Sequence, residues 1–419
     1  MRIKKQTIGM VAILMTILAS GNPIVPYLVG KEFVIIGLPI LLLFYGLAYG
    51  LRIKTNDWLI IFAFGLISFV HLLVFGLLVL PASFGFLLKV IVAMLVVRTV
   101  NNFSNLYVRV MYALAIFSLI FFIPQVVFSD LLRGFAEGVA IPYSPNTLHI
   151  GLHNFNGKDF EYRNSGFFWE PGAFAGYLML ALIFSAGQDI KSGKRLGFDK
   201  TKLVLLFALL TTQSTTGYSA MLIFAMAFVY FRHGIRNIMH TVFAGVILLF
   251  VSYGAYSTLP FLSEKIEGQF EKAIYGETNS EMGRFGNAIY DVESIKQRPL
   301  FGWSPYTETR LAVDTAVSDW VAGQGNGLTA LIVRFGFAGL LLYVLLAYRT
   351  FLHLYGNVGY SATSVVVVLM LLMGEQFLNF PIFMTLMFAS GSLLKQRYIL
   401  RSTGAGMNFL STYKQRASD

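Results

Sequence analysis

The sequence predicts an all-α, polytopic integral membrane protein, organised as one membrane domain over residues 1–419. Three observations predict it. Hydrophobic residues make up 56% of the chain and charged residues 13%, whereas a soluble domain covers its surface with about 25% charge. Apolar runs near the ~20 residues that cross a bilayer recur from one end to the other. Basic residues gather in particular connections between those runs, as they do in cytoplasmic loops. The net charge of +11 suits loops that face anionic lipid and needs no nucleic acid as a partner. No Gly-rich phosphate loop and no basic-aromatic nucleic-acid module occurs. There is no cysteine, which excludes disulfides, thiolate metal sites and cysteine nucleophiles.

Twelve spans are expected, at 7–28, 33–51, 58–80, 83–99, 108–128, 168–187, 202–213, 217–231, 238–257, 323–346, 359–378 and 380–396. The first, within "MRIKKQTIGMVAILMTILASGNPIVPYL", has the basic start and small residues (Ala19, Gly21) of a signal peptide. Its apolar character resumes as far as Leu28, so it is read as an uncleaved span. Orientation follows from the basic residues. Arg2, Lys4 and Lys5 precede the first span, and Arg52 and Lys54 follow the second. Lys191, Lys194, Arg195, Lys200 and Lys202 crowd one connection, and Lys395, Arg397 and Arg401 follow the last span. All are expected on the cytoplasmic side, together with both termini.

The basic stretch "FRHGIRNIMH" (231–240) should also be cytoplasmic, so the chain between it and the 188–202 loop must cross twice or dip in and return. "TTQSTTGYSA" (211–220) supplies a break. Ser, Thr and Gly weaken a helix there, and their hydroxyls can satisfy the backbone groups it frees. Two short helices meeting at a buried polar turn are expected.

Two large loops, 129–167 and 258–322, then fall on the outer face. They hold 14 of the 21 acidic residues against nine Lys and Arg. Within the second, Ile266, Phe270 and Ile274, then Phe285, Ile289 and Val292 ahead of Pro299, recur at helical spacing. They predict helices lying on the outer surface. No internal repeat is found, which disfavours the inverted-repeat transporters.

Charges inside or beside apolar runs mark candidate chemistry. Glu170 in "FFWEPG" can be a helix-start acid, with Pro171 in the first turn. It is equally a carboxylate desolvated against Phe167, Phe168 and Trp169, which suits a general base. Arg163 can pair with Glu161 or Asp159, or clamp a phosphate with its planar fork of donors. Arg284 can be a solvated position on a surface helix or a second clamp. Asp291 and Glu293 lie two apart, share no helix face and make a poor metal pair. Arg334 falls inside a span and Glu375 near the outer end of another, where ionisable groups are costly and face interior cavities. His71 and Lys89 also fall within spans. A hydrogen-bonded histidine and a snorkelling lysine account for them. His149 and His153 are four apart, but no third metal ligand accompanies them and Gly151 weakens a helix there.

Four stretches together resemble one family. "RNSGFFWEPGAFAGYL" resembles the Arg-x-x-Gly-x-Phe-x-Glu/Asp-Pro signature of the O-antigen polymerase and ligase superfamily of bacterial polysaccharide assembly. "TTQSTTGYSA" resembles its Thr/Ser-rich break in a later span. "RFGNAIYDVESIKQRPLFGWSP" resembles its Arg-led outer helix and Pro-Leu-Phe-Gly turn, and "GNGLTALIVRFGFAG" its Asn-containing span start with a later Gly-x-x-Gly. The order and spacing match over about residues 160 to 345. The family's ligases carry a catalytic His just before the Asn position. Here that position is Gly325, which argues against a ligase. The paired Arg-x10-Gly motif of some polymerases is not found either.

The resemblance implies a polytopic glycosyltransferase with a GT-C-like fold, needing no cofactor and no metal. It would polymerise undecaprenyl-diphosphate-linked repeats on the outer face of the bacterial inner membrane, into O-antigen, capsule or exopolysaccharide. Its partners would be the lipid-linked glycan donor and acceptor, membrane lipid, a chain-length regulator and a flippase. Arg163 and Arg284 would hold the diphosphate, and Glu170 would act as the base or position the acceptor. Arg334 with Glu375 would form the polar floor of the cavity. Asn326 would bind sugar or position the loop, and Trp169 joins the substrate-binding set. The alternatives are ligase-type transfer to lipid A-core or protein, and a transporter of polyprenyl-linked glycans.

Overall fold

The computed structural model describes residues 2–51, 53–141, 148–155, 162–233, 239, 267–268, 271, 279–311 and 326–388. Among these residues the chain is helical, apart from connections and one isolated β-bridge between His149 and Asn154. The helices are α1 Arg2–Gly21, α2 Ile24–Val29, α3 Lys31–Tyr49, α4 Thr55–Phe75, α5 Leu80–Thr99, α6 Phe103–Val127 and α7 Ser129–Val139. They continue with α8 Pro171–Lys191, α9 Lys200–Thr211, α10 Thr215–His233, α11 Asn279–Gln297 and α12 Glu308–Leu311. The last three are α13 Gly327–Tyr355, α14 Val358–Gly374 and α15 Pro381–Met384.

Four apolar helical stretches are long enough to cross a membrane: Thr55–Thr99, Phe103–Val127, Pro171–Lys191 and Gly327–Tyr355. Gln6–Gly21, Ile35–Ala48 and Val358–Gly374 are shorter apolar helices. The chain is therefore a helical, membrane-embedded protein. Leu41, Phe44, Phe62, Leu73, Leu341 and Leu345 remain exposed on these helices, a surface that lipid covers at no hydrophobic cost. Thr55–Thr99 is a hairpin. The turn Gly76–Val79 joins α4 to α5, Phe64 meets Phe86 near its middle, and Asp57 meets Arg98 at its open end.

Helix α8 is the central post. Every residue from Ala173 to Gly187 is buried, and α6, α9, α10, α13 and α14 pack around it. Small residues let large rings approach: Gly176 faces the Phe377 ring and Gly187 the Tyr355 ring, each with no room for a Cβ. Buried tyrosines spend their hydroxyls on its backbone, Tyr107 donating to Tyr177 O at 3.1 Å and Tyr360 to Ile183 O at 2.5 Å. The fork of Arg98 grips both oxygens of Asp57, at 2.6 and 2.7 Å, and also donates to Phe388 O at 2.6 Å. Lys202 binds Asp189 at 2.9 Å and Asp199 at 2.5 Å.

Several expectations change. The first helix stops at Gly21 rather than running to residue 28: Asn22 Oδ1 takes the amide of Ile24 at 2.8 Å and starts α2. The stretch from residue 380 opens not as a continuous span but as α15 and the 3₁₀ turn Thr385–Met387, because Pro381 begins a new helix after the Phe377–Asn379 turn. The single span at 323–346 is two helices meeting at Gly336, which has φ 65° and ψ −174°. In α11 the apolar spacing does not mark the buried face. Ile289 and Val292 are exposed, and Asn287, Asp291 and Ser294 are buried. The span at 238–257 (Met239 aside), the helix pattern at Ile266, Phe270 and Ile274, and Lys395, Arg397 and Arg401 lie outside the described residues.

Candidate active site

The stretch 162–170 is an irregular strap, with a turn at Ser165–Phe168, leading into α8, and its polar residues fasten it to its neighbours. Asn164 donates from its backbone to Thr211 O at 2.9 Å and from its side chain to Ser118 Oγ and Thr211 Oγ1 at 3.1 and 3.0 Å. Asn154 donates to Phe168 O and Trp169 O at 3.1 Å each. His149 Nε2 donates to Phe167 O at 2.9 Å, while its Nδ1 accepts from the Gly151 amide at 2.9 Å. His153 Nε2 lies 3.0 Å from Gln125 Oε1. His149 thus fastens the strap directly, while His153 ties the preceding loop to α6. Burial holds them neutral, lowering His149 to about 4 and His153 to about 3.

The break between α9 and α10 lies at Thr212–Ser214, where the sequence expects it. Gln213 carries the turn at φ 49°. Local hydroxyls satisfy the freed backbone: Thr212 Oγ1 donates to Leu209 O at 2.7 Å, and Ser214 Oγ accepts from the Gly217 amide at 3.2 Å. Arg163 completes it, Nε donating to Thr212 O at 3.2 Å. The first arginine of the strap is therefore anchored on the broken helix pair.

Glu170 is the N-cap residue of α8, yet its carboxylate caps no amide of that helix. It points instead toward a second carboxylate. A Cβ on Gly172 would lie 3.0 Å from Glu170 Oε1, 3.2 Å from Glu375 Oε1 and 3.7 Å from Ser214 Oγ. Strap, broken helix pair and the end of α14 thus bring an acid, a hydroxyl and another acid around one small space. The two carboxylate oxygens are within about 6 Å of each other. Trp169, the residue before Glu170, packs against Phe380 with ring centroids 4.7 Å apart.

Arg334 is half-buried one step away. Its Nη1 donates to Asn379 Oδ1 at 2.7 Å and its Nη2 to Gln376 Oε1 at 2.8 Å, in the turn that follows Glu375. Asp291, from the outer helix α11, attracts it electrostatically. Asp291 is itself 1% exposed, accepts from Arg310 Nη1 at 2.7 Å and takes the Thr329 hydroxyl at 2.5 Å. Burial pushes the Asp291 carboxyl up, against the downward pull of Arg310 and of Thr329. Glu293, its neighbour in sequence, pairs on the surface with Lys296 instead.

The break in α13 explains two motifs at once. Trp303 N and Ser304 N donate to Val333 O and Arg334 O, at 2.7 and 3.1 Å. In return Phe337 N and Ala338 N donate to Pro299 O and Leu300 O, at 2.8 and 3.1 Å. The Pro-Leu-Phe-Gly turn therefore supplies the hydrogen bonds that the interrupted helix lacks. Cβ atoms on Gly302 and Gly336 would collide with the facing backbone at 2.5 and 2.0 Å. His71 Nε2 holds the turn from α4, donating to Phe301 O at 2.7 Å.

Of the seven expected residues, Glu170 and Glu375 meet around Gly172, Trp169 precedes Glu170, Arg163 is anchored at Thr212 and Arg334 bonds the turn after Glu375. Asn326 is the N-cap of α13, Oδ1 accepting from Leu328 N and Thr329 N at 3.0 and 3.2 Å. Arg284 lies in α11, and its side chain is outside the described residues. The sequence reading missed Ser214, Asp291, Arg310, Thr329, Gln376 and Asn379. Two signals pointed to some of them: the polar stripe Asn287, Asp291, Ser294 at helical spacing, and the polar residues of "EQFLN" inside an apolar stretch. No protein-family model matches the chain, and no curated protein matches it by sequence.

Proposed function

We propose that this protein is a GT-C-like glycosyltransferase of about twelve spans that polymerises lipid-diphosphate-linked oligosaccharide repeats. Both termini then lie in the cytoplasm of a bacterium and the site opens to the outer face of its inner membrane, as the basic residues ask. The observation that carries the reading is the meeting of Glu170, Glu375 and Ser214 around Gly172, beside Arg163 and Arg334. Four sequence stretches far apart in the chain supply these groups, and they include the motifs that resemble the polymerase and ligase superfamily.

The chemistry asked of the site is modest. Glu170 takes the proton from an acceptor sugar hydroxyl as its oxygen bonds to the donor's anomeric carbon. The bond from that carbon to the diphosphate breaks, and its electron pair leaves with the lipid diphosphate. Arg163 and Arg284 receive the developing negative charge, a task for guanidinium donors. Glu375 orients acceptor hydroxyls from the opposite side of the Gly172 space. Gln376 and Asn379 hold Arg334 so that its charge stays within the site rather than with the lipid.

The test compares Glu170→Gln with Arg284→Ala at equal membrane levels in cells deleted for the native gene. Loss of polymer in both, with single repeats still appearing on the outer surface, is expected. Wild-type polymer from both would reject the assignment. Single repeats retained on the cytoplasmic face in the deletion strain would favour a transporter.

A further inference from the structure

Beyond the transferase site, we propose that Arg298, at the tip of the α4–α5 hairpin, binds the phosphate of a bilayer phospholipid. Its guanidinium carbon lies 4.7 Å from the centre of the Phe75 ring and 4.8 Å from that of Trp303. The two rings face each other with centroids 6.1 Å apart, and Trp303 is locked by donating Nε1–H to Ser294 O at 2.9 Å. The cation is thus held in place by rings on two elements and has no acidic partner among the described residues. The acids close to it in sequence are committed elsewhere: Asp291 to Arg310, and Glu293 to Lys296. An arginine whose aromatic clamp leaves its planar donors available is well suited to a phosphate oxyanion.

The surroundings identify the source of that phosphate. Leu77 and Leu78 in the hairpin turn, Leu300 and Phe301 in the adjoining turn, and Ile289 and Val292 on α11 are all exposed. They continue the exposed apolar surface of α4, which ends at Leu73 and Val74. The tip of a membrane-crossing hairpin lies where acyl chains give way to headgroups, and there a fixed cation beside apolar side chains meets lipid phosphate. A bound phospholipid would also steady residues 298–303. That turn supplies Pro299 O and Leu300 O to the broken helix at Phe337 and Ala338, next to Arg334. Lipid at the surface is thereby linked to the geometry of the buried site.

The experiment uses the full chain, delipidated in detergent and examined by native mass spectrometry. Phosphatidylglycerol is added, or a galactosyl diacylglycerol of the same acyl chains that has no phosphate. Wild type is expected to retain phosphatidylglycerol and not the glycolipid. Arg298→Gln is expected to lower that occupancy about fivefold, the factor for one basic side chain at an anionic lipid surface. Hydrogen exchange at the Phe337 and Ala338 amides should slow on adding phosphatidylglycerol to wild type and not to Arg298→Gln. Equal retention of the two lipids by wild type, a comparison that needs no variant, would overturn the proposal. So would unchanged occupancy in Arg298→Gln.

Discussion

Glu170 sits at the start of a helix but does not act as its cap, and this separation of backbone role from side-chain role defines the site. Pro171 suits the first helical position, and the oxygens of Glu170 and Glu375 approach each other across Gly172. That space can be probed without touching either acid. Gly172→Ala places a methyl 3.0 and 3.2 Å from the two carboxylate oxygens, so activity should fall at least about tenfold through displaced catalytic geometry. Thermal stability should hold or rise, since Ala is favoured over Gly within a helix by about 1 kcal/mol. Parallel loss of activity and melting temperature would assign Gly172 to packing instead. At this scale the charged residues were legible, because a charge in an apolar run is conspicuous. Arg163, Glu170, Arg334 and Glu375 were found that way. Gln376 and Asn379 are neutral amides and raise no such signal. Asp291 was weighed only as a poor metal ligand, because its partners, Arg310 and Thr329, lie far along the chain.

Among elements, the recurring device is an interrupted helix whose freed backbone groups are taken up by another segment. The strap residues Arg163 and Asn164 serve the α9–α10 break, and the 298–304 turn serves α13. Gly336→Ala tests the second. Its φ and ψ fall in a region open essentially to glycine, so strain alone costs about 1–3 kcal/mol, and collision with Leu300 O adds to it. A lower unfolding temperature in detergent is expected, with faster amide exchange at Trp303 and Ser304. The strap and the loop before it make a second prediction, about pH. His149 and His153 are held neutral in the fold, at about 4 and about 3, by burial. The unfolded chain takes up their protons as pH falls below about 6.5, so stability decreases from there downward. At pH 5 the loss is up to about 2 kcal/mol for each histidine. Melting curves between pH 7.5 and 5 check it, and His149→Gln should flatten the dependence. The first break was legible from its Ser, Thr and Gly content. The second was not, because Gly336 looks like any glycine in a span until the turn that needs it is placed alongside.

At the scale of the whole molecule, α8 organises the bundle, and ion pairs fasten its surroundings away from the site. Arg98, on α5, grips Asp57 of α4 and donates directly to the backbone at Phe388. Arg98→Ala strands a buried carboxylate and should cost about 3–5 kcal/mol, read as a lower melting temperature of the purified protein. The all-helical membrane class followed from composition and run length alone, since the bilayer forces backbone hydrogen bonds to be made within helices. Span ends were less legible where Asn22 and Pro381 restart the chain inside apolar sequence. In α11 the hydrophobic pattern marked the exposed face, because the buried face serves a polar site.

The most direct measurement is reconstitution. The purified protein is incubated with defined lipid-diphosphate-linked repeats, and the products are separated by size. A ladder of chains increasing by one repeat, with release of lipid diphosphate, is expected from wild type and not from Glu170→Gln. Repeats left unjoined by wild type, or an undiminished ladder from Glu170→Gln, would contradict a glycosyl-transfer site centred on Glu170.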